Sequence, residues 1–137
     1  MVQKNGDIVR LAPGEPGKLA QVTAGRLVLD GDIIVPADGE AIVTRRRLAR
    51  DGILVVALDE RRSPQVHGFG LPLDEDYAEF VAEAERDVTE ALKRLKGPKA
   101  RDREEVMEAT RLAARRAAQR WSGKKPQTRV ILAEDRN

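Results

Sequence analysis

The chain has 137 residues, of which 41% are hydrophobic, 35% are charged and 3% are aromatic. This length suits one ordinary domain, with or without a flanking segment, whose core rests on aliphatic side chains. The formal net charge of +2 comes from nearly balanced signs, which excludes a polybasic tail. No cysteine is present, which excludes disulfides and thiolate metal sites and is typical of a reducing compartment.

The first part of the chain has the pattern of β structure. Residues 8–11 and 18–22 have the apolar spacing of short strands. Two further apolar runs, residues 26–29 and 32–35, flank the pair Asp30-Gly31. An Asp-Gly pair in this position favours a hairpin with a type I′ turn, because that turn needs positive φ at both central residues.

The next segment changes character. The basic stretch over residues 42–50 is compatible with a short helix or with an extended segment that ends at Gly52. Residues 53–58 form a continuous apolar run of strand length, which predicts a strand buried on both faces at the centre of a small sheet. Residues 65–71 are expected to pair back onto it as a second strand, weakened by its glycines.

A long amphipathic helix is predicted after these strands. Apolar side chains recur at steps of three and four over residues 77–95, so they share one helix face. Asp76 with Glu79 has the spacing of an N-terminal capping arrangement. The pair Gly97-Pro98 is expected to stop the helix.

A second helix is predicted over residues 103–121. Asp102 with Glu105 suits its N-terminal cap, and Gly123 suits its C-terminal stop. Residues 128–133 then have the composition of a terminal strand. The apolar stripe of this helix is predicted to run through Val106, Ala109, Ala113, Ala117 and Trp121, with Thr110 as its polar member.

The predicted order of strand, strand, helix, helix, strand indicates an α+β fold. We expect a small three-stranded sheet packed on two helices and preceded by a β-rich segment. The predicted organisation is a β-rich segment over residues 1–40, a linker over 41–52 and an α+β domain over 53–137. No apolar run approaches membrane-spanning length, and residues 1–20 lack the apolar core of a signal peptide. We therefore expect a soluble, cytoplasmic chain without membrane partners.

The residue types that carry catalysis are sparse. His67 is the single histidine, whereas sites of the metallo-β-lactamase type need several His and Asp side chains at one point, so we interpret it as a turn or packing residue. Ser63 and Ser122 stand beside Pro and Gly without a nucleophile motif. The many carboxylates over residues 74–85 crowd the start of a helix, where the macrodipole favours negative charge. We predict no catalytic residue, metal ligand or cofactor in this chain.

Two groups of basic residues are the remaining candidates for binding. One interpretation is a surface that neutralises RNA phosphates without reading base identity, because aromatic side chains are scarce nearby. The other is a solvated helix face whose cations are favoured by the negative end of the macrodipole. The first group is Arg45, Arg46, Arg47 and Arg50, and the second is Arg111, Arg115, Arg116, Arg120, Lys124 and Lys125.

Several stretches together resemble the C-terminal portion of bacterial ribonuclease J, a ribonuclease of the metallo-β-lactamase family. Their order and spacing are more informative than any one of them. They are NGDIVRLAPG at residues 5–14, GRLVLDG at 25–31, RRRLARDG at 45–52, the strand that follows, and GKKP at 123–126. The resemblance extends over essentially the whole chain, and we expect the chain to be a fragment of a larger enzyme.

The resemblance implies that the hairpin around Asp30-Gly31 closes the β-lactamase domain, and that the segment from about residue 52 is the small C-terminal domain. It also implies a parent 5′-to-3′ exonuclease and endonuclease of RNA maturation and decay that uses two divalent ions, expected to be zinc. None of the catalytic residues of that family has a counterpart here, so none is carried over. In that family the C-terminal domain is associated with dimer and tetramer assembly.

Two functional hypotheses follow, and the first is preferred. The first is an assembly domain that forms a homodimer through a sheet face, through an edge strand such as residues 128–133, or through its helices, and so supports nuclease activity. The second is a module that positions RNA through its basic residues, with binding that weakens steeply as salt increases. An unrelated small enzyme is a third possibility, which the missing site chemistry disfavours.

Overall fold

The structure is a computed structural model that describes residues 7–10, 17–21 and 25–133. The chain separates into two compact units, Met1–Thr44 and Arg45–Asn137, with the boundary inside a helix. Within the described residues, no helix combines the length and the apolar character that crossing a bilayer requires. The predicted strand residues Leu11 and Val22 lie outside the described residues.

The first unit contains two separate antiparallel hairpins. Strand β1 (Asp7–Arg10) pairs with β2 (Gly17–Gln21), and β3 (Leu27–Asp30) pairs with β4 (Ile33–Pro36). Helix α1 (Glu40–Asp51) begins in this unit and ends in the second. The structure thus selects the helical alternative for the basic stretch that the sequence left open.

The β3–β4 hairpin is confirmed, but its predicted turn is wrong. Asp30 pairs with Ile33, so Gly31 and Asp32 are the two central residues of the loop. Gly31 has φ of +61°, while Asp32 is absent from the described non-glycine residues with positive φ. Glycine at the first central position and negative φ at the second match a type II′ turn, in which one glycine supplies all the left-handed backbone that is needed.

The second unit is built on a three-stranded mixed sheet in the order β6-β5-β7. Strand β5 (Ile53–Leu58) lies at the centre, antiparallel to β6 (Pro64–Phe69) and parallel to β7 (Gln127–Leu132). Helices α2 (Tyr77–Lys93) and α3 (Arg103–Ser122) pack on one face of this sheet. This confirms the predicted α+β fold, a small sheet on two helices preceded by a β-rich segment.

The core lies between the sheet and the two helices. The strand residues Leu54 and Val56 are fully buried there against Phe80 of α2 and Val106 of α3. The prediction that β5 is buried on both faces is wrong, because its residues alternate between buried and half-buried. Two helices cover a three-stranded sheet on one side, so the second face of the central strand is left open to solvent.

The two predicted helix caps differ in the structure. Asp102 caps α3 as expected, because its carboxylate accepts hydrogen bonds from the backbone N–H groups of Glu104 (2.9 Å) and Glu105 (3.3 Å). Asp76 makes no such bond, so its predicted cap is wrong. Asp76 ends a 3-10 helix (Asp74–Asp76) that leads directly into α2, and its backbone is already helical with φ of −84° and ψ of −2°.

The buried stripe of α3 overlaps the predicted one and is shifted to one side of it. Val106 and Ala117 are buried as predicted, and Ala113 and Trp121 are partly buried and pack against the core. Ala109 is only partly buried, whereas Ala114 and Ala118, which were not predicted, are buried. The buried polar member Thr110 donates from its hydroxyl to the carbonyl of Val106 at 2.8 Å, which satisfies it without another partner. The buried side chains of the helix are Val106, Thr110, Ala114, Ala117 and Ala118.

Candidate functional site

One candidate surface is the face of the sheet that the helices leave open. Its two exposed apolar corners are Phe69 on β6, 61% exposed, and Ile131 on β7, 59% exposed. Half-buried apolar side chains of β5 lie between them. Across the three strands, the pairing aligns Phe69 with Ile53 and Gln127, His67 with Val55 and Arg129, and Gln65 with Ala57 and Ile131.

The open face combines five apolar side chains with four polar ones and carries little charge. Arg129 is the one Lys, Arg, Asp or Glu among its nine residues. Depletion of charged side chains together with exposed aromatic and aliphatic ones is the composition of the centre of protein–protein interfaces. An exposed face of this kind is therefore a candidate binding surface.

A second candidate is a basic cleft, and the parallel pairing of β5 with β7 creates it. Ile53 is aligned with Gln127, so both strands start at the same end of the sheet. The residues just before each strand therefore lie side by side. They are Arg50 and Asp51 at the end of α1 and the pair Lys124-Lys125 after α3. A hydrogen bond joins the two segments, because the N–H of Gln127 donates to the carbonyl of Gly52 at 3.3 Å.

Two glycines fix the directions in which the chain enters and leaves this region. Gly52 has φ of +78°, and a Cβ there would lie 2.8 Å from the carbonyl oxygen of Phe69 and 2.9 Å from that of Gly70. No other residue fits that position without displacing backbone. Gly123 ends α3 with φ of +71°, as the sequence predicts, and turns Lys124 back toward β7.

The cleft has a volume of about 560 Å³ and joins both predicted basic groups. Five cations and one carboxylate line it, which leaves a net formal charge of +4. The C-termini of α1 and α3 add about half a negative charge each, so their dipoles do not cancel the positive field. The lining residues are Arg47, Arg50, Asp51, Arg115, Gly123, Lys124, Lys125 and Gln127.

The cations of the cleft differ in how far their charges are already offset. The guanidinium of Arg50 contacts the carboxylate of Asp51 at 2.9 Å. Among the described residues, Arg47, Arg115, Lys124 and Lys125 form no ion pair. Four positive charges therefore face the cleft without an acidic partner in the part of the chain that the structure describes.

The structure separates Arg111, Arg116 and Arg120 from the cleft. Arg111 donates two hydrogen bonds to Glu108, at 2.8 and 2.6 Å. These bonds hold the pKa of the exposed Glu108 carboxyl below its ordinary value and raise the pKa of Arg111. Arg120 pairs with Asp87 of α2. The charges of Arg111 and Arg120 are thus offset locally.

Arg116 and Arg120 line a different depression, between α2 and α3. Its charged lining residues are Arg94, Arg116 and Arg120 with Glu83, Asp87 and Glu90, so three cations face three carboxylates. This depression is electrically neutral where the cleft is positive. The remaining predicted residues, Arg45 and Arg46, are exposed on α1 and do not line the cleft.

His67 is neither a turn residue nor a packing residue, contrary to the sequence interpretation. It lies within β6, exposed on the open face of the sheet and aligned with Val55. The described residues contain no group of three or more His, Cys, Asp or Glu side chains placed to hold a metal ion. No ligand set for a divalent ion is therefore present in the part of the chain that the structure describes.

Sequence reasoning missed several members of these surfaces. Asp51 and Gln127 line the cleft, and Phe69 with Ile131 marks the open face, but none of them was a candidate. The cleft residues come from segments more than 60 positions apart, so a local pattern does not reveal them. The alternation of apolar and polar residues over 64–69 was the available signal for the open face.

Comparisons with known proteins agree with this architecture. Residues 40–135 match the family described as the ribonuclease J C-terminal domain. A ribonuclease J of Sinorhizobium meliloti is 31% identical to the chain over 138 aligned positions, which cover 96% of this chain and 24% of that protein. The chain thus spans about a quarter of that relative's length. It belongs to the family of ribonuclease J C-terminal domains.

Proposed function

We propose that this chain is a non-catalytic assembly domain of a ribonuclease J-like enzyme. The observation that carries this proposal is the open apolar face of the sheet, with Phe69 and Ile131 exposed at its corners. In this proposal the face packs against the same face of a second copy and holds catalytic parts of two subunits together. The domain supports nuclease activity indirectly, by positioning those parts.

The proposed parent enzyme is a cytoplasmic hydrolase that cuts RNA during maturation and decay, using two divalent ions such as zinc. The described residues do not fit such ions, since no group of suitable ligands is formed among them. In this proposal the metal ligands and the catalytic residues belong to the rest of the enzyme. The chain itself then contributes shape and surface instead of chemistry.

A second copy is the occupant that suits the open face best. The face carries a single formal charge, so two copies meet without strong repulsion between like charges. Phe69 and Ile131 lie at diagonally opposite corners, because one is aligned with the first residue of β5 and the other with its fifth. A two-fold axis along the other diagonal places each Phe69 against the Ile131 of the second copy, as an isologous interface requires.

The size of the face sets the expected strength of the dimer. Three strands of six residues cover about 14 by 20 Å, from strand spacings of about 4.8 Å and a rise of about 3.3 Å per residue. Allowing for side-chain relief, two copies bury roughly 1,000 Å², which is near the lower limit of specific interfaces. We therefore expect a dissociation constant in the micromolar range for this chain alone.

Sedimentation equilibrium between about 5 and 300 µM tests this proposal, since that range brackets micromolar dissociation constants. We expect the wild-type chain to move from its monomer mass of 15.2 kDa toward twice that value as concentration increases. Replacing Phe69 and Ile131 with Glu should leave a monomer, because four carboxylates would meet in one apolar interface. A wild-type chain that stays at 15.2 kDa throughout rules out the proposed dimer.

A matched control uses an exposed apolar residue outside the second unit. Leu29 of β3 is 73% exposed, so Leu29→Glu introduces the same type of change in the other unit. We expect this variant to dimerise as the wild type does. Loss of the dimer in Leu29→Glu, with dimerisation retained in the Phe69→Glu, Ile131→Glu double variant, would move the interface to the β3–β4 hairpin.

RNA positioning is the second candidate function. The favouring observation is that Arg47, Arg115, Lys124 and Lys125, from both predicted basic groups, line one cleft. The alternative is a solvated surface on which helix dipoles favour cations. It explains why each cation lies toward or just after the C-terminal end of a helix, but it does not require the cations to share one cleft. The two functions are compatible, because the cleft residues and the open-face residues share only Gln127.

A further inference from the structure

We propose that the basic cleft binds the phosphodiester backbone of single-stranded RNA. This inference goes beyond the assembly role and rests on the proposed placement of the chain in a ribonuclease. It narrows the RNA-positioning alternative to four cations: Arg47, Arg115, Lys124 and Lys125. Arg111, Arg116 and Arg120 are excluded, although the sequence pattern gave them equal weight.

The charge distribution of the cleft supports a polyanionic ligand. Five cations and one carboxylate surround a concave region of about 560 Å³, whereas the nearby depression between α2 and α3 has equal numbers of both signs. Both surfaces contain Arg side chains from α3, so the position of a cation on that helix does not explain why the two surfaces differ in net charge. Concave surfaces lined by one sign of charge concentrate ligands of the opposite sign.

The geometry of the donors suits phosphates in particular. Arg47 and Arg115 come from two different helices, and each carries a planar guanidinium that can donate two hydrogen bonds to one phosphate. Lys124 and Lys125 follow α3 in sequence and add two compact charges. Donors on separate elements around one cleft can contact more than one phosphate of a bound strand.

The absence of aromatic side chains from the lining limits how the cleft can distinguish one nucleotide sequence from another. Its lining residues include no Phe, Tyr or Trp, so the described cleft offers no platform on which bases stack. Contacts to the backbone position a strand but carry no sequence information. We therefore expect equal affinity for uridine and adenosine oligomers, with a dissociation constant on the order of 10–100 µM at low salt.

The test is titration of labelled 12-nucleotide uridine and adenosine RNAs with the full chain, at several salt concentrations. Four phosphate contacts predict a slope of about −3 in the logarithm of the association constant against the logarithm of salt concentration, at about 0.7 per contact. Replacing Arg47 and Arg115 with Gln should weaken binding at least about tenfold and reduce the slope to about −1.4.

The matched control moves each substitution by one residue. Arg46 and Arg116 are direct neighbours of Arg47 and Arg115, are exposed and do not line the cleft. The Arg46→Gln, Arg116→Gln variant loses the same total charge, and we expect its affinity to stay within about threefold of wild type, within the scatter of surface substitutions. If both double variants lost RNA affinity equally, RNA would be attracted to the whole basic surface, and the assignment of the site to the cleft would be wrong.

Additional variants distinguish a loss of RNA binding from misfolding and from a loss of the dimer. If Arg47→Gln, Arg115→Gln lowers the melting temperature, Arg47→Gln with Lys125→Gln replaces it, because both side chains are exposed. The Phe69→Glu, Ile131→Glu variant should bind RNA as the wild type does, so failure of the dimer and failure of the cleft are distinguishable. Absence of RNA binding by wild type at low salt, or equal affinity for polyglutamate, would overturn the RNA assignment.

Discussion

The two units of this chain differ in how they use their apolar side chains. In the second unit, Phe80, Leu54 and Val56 are fully buried between the sheet and two helices. In the first unit, none of the side chains of residues 25–44 is buried, and Leu29 and Ile34 face water across the β3–β4 ladder. Similar β-branched and aliphatic composition thus gives a closed core in one unit and an uncovered hairpin in the other.

The difference shows what a strand pair requires for stability. A two-stranded hairpin is marginal in water because it cannot bury a face by itself, whereas three strands under two helices enclose one. Leu27, Leu29, Ile33 and Ile34 of the hairpin are each at least 65% exposed. We infer that the folding free energy of the chain resides in the second unit.

The largest expected effect comes from the core. Phe80→Ala should lower the free energy of unfolding by about 3–5 kcal/mol, because the largest fully buried side chain leaves a cavity under the sheet. Leu29→Ala should change it by less than about 0.5 kcal/mol, since Leu29 is 73% exposed. Urea denaturation followed by circular dichroism measures both. Comparable losses in the two variants would contradict the assignment of stability to the second unit.

The glycines of the two units give a second contrast. Gly52→Ala should cost about 2–4 kcal/mol, because φ is +78° and the new Cβ would overlap two backbone carbonyl oxygens. Gly31→Ala in the hairpin turn should cost about 1 kcal/mol or less, since its φ of +61° is strained for alanine but the surrounding space is open. Thermal melts of both variants check the order, and a larger loss for Gly31→Ala would contradict it.

The helix caps sharpen the comparison within the second unit. Asp102→Ala removes two hydrogen bonds to backbone N–H groups at the start of α3 and should cost about 1 kcal/mol. Asp76→Ala removes no such bond and should cost less than about 0.5 kcal/mol. Chemical denaturation of the two variants measures this difference. Equal losses would indicate that the Asp76 carboxylate contributes to α2 in solution.

Removal of the first hairpins should have the smallest effect on folding. A chain that starts at Glu40 retains α1 and every element of the sheet and of its core. We expect its cooperative transition to persist, with a free energy of unfolding within about 1 kcal/mol of that of the full chain. Loss of the transition would show that the first unit contributes stability that its exposed side chains do not reveal.

Periodicity made much of the fold predictable. The continuous apolar run over residues 53–58 located the central strand, and apolar residues at steps of three and four located both helices. The stripe of α3 was predicted in part, with Ala114 and Ala118 missed, because alanines occupy several faces of the helix and hydrophobicity alone does not set the edge of the buried face. The turn of the β3–β4 hairpin was misplaced by one residue. Both Asp30-Gly31 and Gly31-Asp32 are residue pairs that can occupy the centre of a tight turn, and the structure uses the second pair.

The candidate surfaces were less predictable than the elements that form them. Arg47 and Arg115 meet at one cleft because β5 and β7 are parallel and begin at the same end of the sheet. That pairing joins residues more than 70 positions apart, and no local pattern encodes it. A sheet face was among the predicted interfaces, but its residues were not identified, because burial on the second side of β5 depends on what lies above the sheet, which a strand's own sequence does not specify.

The measurement that tests the assembly proposal most directly is cross-linking through a single cysteine, which the cysteine-free sequence permits. Val55 lies in the middle row of the central strand, so any two-fold axis over the centre of the face brings the two copies of this residue together. Because face-packed sheets hold the two copies of this strand about 10 Å apart, which is beyond the reach of a disulfide, the reagent is a short bis-maleimide. We expect Val55→Cys to form a covalent dimer with it, while Ala82→Cys on the exposed surface of α2 stays monomeric. Equal cross-linking of both variants, or none at Val55→Cys, would contradict assembly through the open sheet face.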